Sequence, residues 1–155
     1  MEIKWGYIMK YILYEDKYKN YLCDMINALY QEDPEGEPMS QDKIELTIRQ
    51  AQEYSDRLKI YMIMDGDILA GYAIVQLIWS NEWGGLTANI DEMYIAENHR
   101  NQGLASGFIN DVKYMLPQVN RVTLEVTPSN DGSLMLYEKL GFRLAENRNM
   151  EKILG

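Results

Sequence analysis

The residues best spaced for chemistry are Arg100-Asn101-Gln102-Gly103-Leu104-Ala105. A cation stands three positions before a glycine, and a small residue follows two positions later. Upstream, Ile90-Asp91-Glu92-Met93-Tyr94-Ile95 has the rhythm of a strand. Downstream, Leu104, Phe108, Val112 and Met115 keep helical spacing. A strand entering a helix through such a turn presents the helix's first backbone N–H groups, and these together with the helix dipole favour a phosphate. Gly103 and Ala105 leave room for a ligand against the main chain, and Arg100 can add a forked, charged hydrogen bond. The chemistry is therefore diphosphate binding. No Lys-Ser or Lys-Thr pair follows the glycine, and the Gly-x-Gly spacing of a dinucleotide fold is missing.

The elements that must position this turn can be traced along the chain. Lys10–Tyr14 reads as a short strand. Tyr18, Tyr21, Leu22, Met25, Ile26, Leu29 and Tyr30 mark the apolar face of a first helix. The acidic stretch Glu32-Asp33-Pro34-Glu35-Gly36-Glu37-Pro38 ends it. Ser40 is placed to cap a second helix carrying Ile44, Ile48 and Ala51. Strands at Leu58–Met64 and Ile68–Trp79 are joined by Asp65-Gly66-Asp67, a hairpin signal. A second turn, Ser80–Gly85, leads to the strand Leu86–Ile95. After the third helix come a strand at Arg121–Val126, a helix at Gly132–Leu140 and one or two closing strands from Phe142. The fold class is α/β with a mixed, mainly antiparallel central sheet flanked by helices.

With 155 residues, the chain is expected to form one domain, residues 1–155, burying about two-thirds of its unfolded surface. A net charge of −9 argues against nonspecific nucleic-acid or anionic-membrane binding and suits a cationic ligand. One cysteine and one histidine make neither an intrachain disulfide nor the usual zinc sets, so no metal is expected. Cys23 falls in the apolar pattern of the first helix and reads as a small core residue. The N-terminus lacks the apolar core of a signal peptide, and no span reaches transmembrane length, so a cytoplasmic protein is expected. Residues 1–8 read as an extension, with Met9 as an alternative start.

Arg100–Ala105 resembles the Q/R-x-x-G-x-G/A signature of the GNAT superfamily of acetyl-CoA-dependent N-acetyltransferases. Asn130-Asp131-Gly132-Ser133-Leu134-Met135-Leu136-Tyr137-Glu138-Lys139-Leu140-Gly141-Phe142 resembles that family's late helix motif. The likeness covers roughly the C-terminal half in order and spacing, and it departs at Glu97, Asn101, Gln102 and Leu134. It implies the GNAT fold, with splayed strands holding acetyl-CoA as co-substrate. The pantetheine arm would pair with the backbone of Met93, Tyr94 and Ile95, and a backbone N–H of Ile95 or Met93 would polarise the thioester carbonyl. The diphosphate would sit on Arg100, Asn101, Gln102, Gly103, Leu104 and Ala105, with Asn130 and Tyr137 on the arm's other side.

Within that resemblance Tyr137 is the expected general acid, since a phenol near pKa 10 can protonate a leaving thiolate. Its alternative is a ring that only packs. Glu92 is the expected base, directly or through water. Asp91 and Glu125 stay open as rivals, because a bulge could change which face of the strand meets the substrate. His99, just before Arg100, reads as packing the turn. Gly141 reads as the helix terminator.

In the resembled fold the acceptor lies between the loop after the first helix and the central hairpin. That implies Glu32, Asp33, Trp79, Glu82 and Trp83, carboxylates beside tryptophans that suit a cationic amine. The bland alternative is a solvated acidic loop and an aromatic hairpin packed on a second copy, a homodimer. The expected activity is acetyl transfer to a small-molecule primary amine by direct attack in a ternary complex. A protein or peptide N-acetyltransferase and a non-catalytic acetyl-CoA sensor are the alternatives.

Overall fold

A computed structural model of the chain describes residues 9–34, 36–128 and 130–155. The expected extension and Glu35 lie outside them. Among the described residues five strands form one sheet in chain order: β1 (Met9–Leu13), β2 (Leu58–Asp65), β3 (Ile68–Ser80), β4 (Gly85–Ile95) and β5 (Val119–Leu124). β1 to β4 pair antiparallel, and β4 pairs parallel with β5. α1 (Lys19–Glu32) and α2 (Gln41–Glu53) connect β1 to β2, and α3 (Leu104–Met115) connects β4 to β5. The mixed, mainly antiparallel α/β sheet therefore matches the sequence reading. Ser40 caps α2 as expected, its Oγ accepting from the Lys43 N–H.

Alternation along the strands sends side chains to two faces. Ile60, Met62, Tyr72, Ile74 and Tyr94 meet Leu22 and Ile26 of α1 and Ile44 and Ile48 of α2. On the other face Phe108 of α3 stands edge-on to Tyr11 and Tyr61, with ring centroids 5.3 and 5.6 Å apart. Phe108 is fully buried, so truncation to Ala should cost about 3–5 kcal/mol.

The chain divides into two compact units, a larger one ending at Glu125 and a smaller one of Val126–Gly155. The smaller unit is built on α4 (Asp131–Lys139). The Phe142 N–H donates to the Tyr137 carbonyl and the Gly141 N–H to that of Glu138, with Gly141 at φ +92°. This is the left-handed termination that glycine accommodates. The expected closing strands are absent: residues 141–155 form none among the described residues. The polar run Glu146-Asn147-Arg148-Asn149 has low strand propensity and bends at its start. Among the described residues no helix is long and apolar enough to cross a membrane.

Candidate active site

The site begins with one extra residue in β4. Val75 pairs with Ile90 and Ile74 with Glu92, so Asp91 is a bulge opposite a single step of β3. β5 follows β4 only as far as the Ile90–Leu124 pair. Beyond the bulge, β4 continues against β3 alone. The Ala96 N–H donates to the Ala70 carbonyl at 2.8 Å. Because antiparallel ladders alternate, Tyr94 and Glu92 also bond toward β3, whereas the N–H groups of Met93 and Ile95 point away from it. No described strand pairs with that edge. A bulge bends and twists its strand, and here it lies where the β4–β5 pairing and β5 itself end.

Glu92 lies on the α1 face. The Tyr30 hydroxyl, from the end of α1, donates to one carboxylate oxygen at 2.6 Å, and the Tyr72 hydroxyl of β3 donates to the other at 2.9 Å. Burial raises the Glu92 pKa; the two hydroxyls pull it down and the Asp91 charge pushes it up, leaving it above the ordinary glutamate value. Burial, then Glu92 itself, raises both phenols, so their protons stay in place as donors. Asp91 is also raised, first by desolvation and then by the like charge of Glu125. Glu92 differs from its two rivals in having its carboxylate fixed by two donors. In the sequence Tyr30 reads only as part of the first helix's apolar face, and Tyr72 only as a position in the strand Ile68–Trp79. The available signal was a tyrosine where a phenylalanine would have packed, since a buried hydroxyl needs a partner.

The Arg100–Ala105 turn follows directly. After a single 3₁₀ turn (Glu97–His99), Asn101 at φ +61° and Gly103 at φ +80° adopt left-handed conformations and α3 starts. No side chain caps α3, so its first amides lack an intramolecular acceptor of that kind. A Cβ on Gly103 would meet nothing within 4 Å, so the space beside it is open. An uncapped N-terminus beside open space, next to an unpaired strand edge, fits a diphosphate carrying an extended arm. The His99 Nδ1 lies 3.0 Å from the Asp65 carboxylate, tying the turn to the β2–β3 hairpin, as a packing residue would.

The Arg100 side chain has a different environment from the one its position suggests. Its Nε donates to the Ile95 carbonyl at 2.8 Å, and Nη2 to both oxygens of Glu32 at 2.8 and 2.9 Å. The guanidinium also lies over the Tyr94 ring, 5.3 Å from its centroid.

The five expected acceptor residues do not come together. Glu32 and Asp33 end α1 beside Arg100 and the Ile95–Gly71 pair. Trp79 pairs with Leu86 at the far end of the same ladder, with Glu82 and Trp83 in the turn beyond. Gly71 and Trp79 are eight residues apart on β3, about 26 Å at the usual strand rise. Trp79 is 66% and Trp83 48% exposed, and Trp83 stacks with Arg121. An extended β-ladder thus holds apart two loops that the sequence reading combined into one pocket.

In the smaller unit, Asn130 caps α4, its Oδ1 accepting from the Ser133 N–H at 3.2 Å. The Tyr137 ring packs edge-on against Phe142, with centroids 5.8 Å apart, and burial raises its phenol pKa. The proton therefore stays on the oxygen at neutral pH.

The sequence model of the acetyltransferase (GNAT) family matches residues 22–142. The chain belongs to this family. A mycothiol acetyltransferase from Corynebacterium efficiens is 29% identical over 107 residues, 68% of this chain and 34% of that protein. The chain thus spans about a third of the length of the curated relative it matches. A possible acetyltransferase from Clostridium difficile 630 superposes with a TM-score of 0.80 at 15% identity, covering 95% of this chain and 99% of the other. The aminoglycoside acetyltransferase AAC(6')-Iy, solved with a bisubstrate analogue of CoA and acetylneamine, gives 0.74 at 15% identity, covering 96% and 99%. Both structural likenesses speak to the fold.

Proposed function

We propose that the chain transfers an acetyl group from acetyl-CoA to a primary amine by direct attack in a ternary complex. One observation carries the reading: the unpaired Met93–Ile95 edge lies next to a desolvated Glu92 whose carboxylate is fixed by two tyrosine hydroxyls. Acetyl-CoA supplies the thioester. The diphosphate rests on the amides of Gly103, Leu104 and Ala105 and on the backbone of Arg100, Asn101 and Gln102. The arm pairs with Met93 and Ile95, whereas Tyr94, expected to share that pairing, has its backbone groups turned to β3. A fixed N–H there stabilises the oxyanion as the amine nitrogen bonds to carbon and the carbon–sulfur bond breaks. Glu92 takes the amine proton, and its raised pKa brings it nearer the working range of a base. Tyr137, by its place in the late helix motif, returns a proton to the thiolate, and Asn130 contacts the arm.

The acceptor we infer is a small cationic amine. Asp91, Glu92 and Glu125 put three carboxylates around the bulge in a chain of net charge −9. Mycothiol and aminoglycoside acetyltransferases among the similar proteins support a small-molecule acceptor. The test is thiol release from acetyl-CoA over polyamines, aminoglycosides, amino acids and short peptides. Turnover of a cationic small amine supports the proposal. Turnover of peptides alone would redirect it to protein acetylation. CoA binding with no turnover across the panel would leave a coenzyme-binding sensor.

A further inference from the structure

Arg100 is the cation of the phosphate-binding turn, yet its contacts run to α1 and β4 rather than toward α3. Glu32 is the last residue of α1, and Asp33 follows it. A helix C-terminus disfavours negative charge, and the last turn of α1 has no basic residue of its own. Arg100 supplies that charge from 68 residues away, gripping both oxygens of Glu32 through one nitrogen while Nε holds the Ile95 carbonyl. Two residues before Glu32, Tyr30 places its hydroxyl on Glu92. The same turn of α1 is thus tied to β4 twice, once through Tyr30 and once through Arg100.

We propose that Arg100 and Glu32 are positioning residues that hold the last turn of α1 against the end of β4, keep the Tyr30 hydroxyl on Glu92, and leave the diphosphate to the amides of α3. The inference depends on the reading of Glu92 as the base for its importance to turnover, but its contacts are measurable without turnover. To reach a phosphate at the α3 N-terminus, the guanidinium would have to release Glu32 and the Ile95 carbonyl. Around Glu92 the other titratable groups are Tyr72 on β3 and Asp91 on β4, with Glu125 acting on Asp91. None of these is bonded to Arg100, whose contacts on β4 are the Ile95 carbonyl and the Tyr94 ring, so Glu32→Gln, which alters neither, isolates the route through α1.

The experiment combines two readouts on Arg100→Gln, Glu32→Gln and their double variant. Calorimetry with CoA measures coenzyme affinity. Carbon-13 NMR of glutamate carboxyls, with the Glu92 signal identified by its loss in Glu92→Gln, measures the Glu92 titration. The expected result is a CoA Kd within about threefold of wild type in both single variants. The Glu92 midpoint should rise in both, in the direction that Tyr30→Phe gives and by less, with no further rise in the double variant. A CoA Kd weakened about tenfold or more by Arg100→Gln alone would overturn the proposal and make Arg100 a phosphate ligand. A stationary Glu92 midpoint in both variants would also overturn it. Should Arg100→Gln fail to fold, Glu32→Gln with Arg100→Lys carries the same two readouts. A silent amine panel would end the catalytic reading while leaving these outcomes intact.

Discussion

The two ends of the β3–β4 ladder carry similar residues in opposite settings. At one end Glu92, Tyr72 and Tyr94 lie under α1, and Glu32 is held by Arg100. At the other, Glu82, Trp79 and Trp83 surround an exposed turn. Acidic and aromatic residues occur at both, so composition does not distinguish them. Burial does. Burial displaces the pKa of the Glu92 carboxylate, and two hydroxyls fix its direction. α1 covers the sheet at the first end, and the exposed hairpin tip lacks that cover.

The sharpest way to break this contrast is Glu92→Gln. Turnover should fall about 10²–10⁴-fold, the usual range for a lost general base, with smaller losses in Asp91→Asn and Glu125→Gln. Steady-state kinetics on the active amine decides it, and an equal loss at Asp91 would move the base to the bulge itself. Tyr137→Phe should slow turnover by at least about tenfold while leaving CoA affinity near wild type. If activity were unchanged, the ring would have only its packing contact with Phe142.

Gly103→Val tests the cradle. The left-handed φ of +80° makes any side chain strained, costing about 1–2 kcal/mol in a denaturant titration. CoA binding should weaken by more than that loss explains, because the new side chain fills the open space beside the α3 amides. Intact affinity would place the diphosphate elsewhere.

The pH dependence sharpens the comparison further. The folded-state pKa of Glu92 is raised, so its neutral form favours folding: the contribution is full below the unfolded value, near 4.5, and is lost as pH rises through the folded value. Glu92→Gln should therefore flatten the decline of stability above that pH, read as Tm against pH. The acid limb of kcat/KM should lie above the ordinary glutamate value for the same reason. Tyr72→Phe removes a donor that stabilises the carboxylate, so it should move that limb upward. The smallest effect is expected at the far end of the ladder. Trp79→Ala or Trp83→Ala should change stability by no more than about 0.5 kcal/mol and leave kcat/KM for a small amine within about threefold. A large rise in KM at either would bring the hairpin into the acceptor site.

Much of the fold was legible because it is written in short-range patterns. Ser40 caps α2 through a residue three positions on, and Gly66 at φ +61° turns the β2–β3 hairpin. Gly141 ends α4 through bonds spanning a few residues. The closing strands were misjudged because a strand depends on a partner, and apolar residues such as Leu144 and Ile153 supply pattern without one. Asn130 is expected on the arm, and the structure has its Oδ1 accepting from the Ser133 N–H as the cap of α4.

By itself the sequence determined the Arg100–Ala105 turn at the start of α3, the late helix motif and the family, because each depends on neighbours within one or two helical turns. Tertiary structure alone decided which carboxylate is held. It also placed the bulge at Asp91, sent Arg100 to Glu32, and separated the tryptophans from the acidic end of α1. The Tyr30–Glu92 and Glu32–Arg100 contacts join residues 62 and 68 positions apart. Such contacts exist only after α1 has packed on the sheet and fixed its register against β4, and no local spacing in the chain encodes that arrangement.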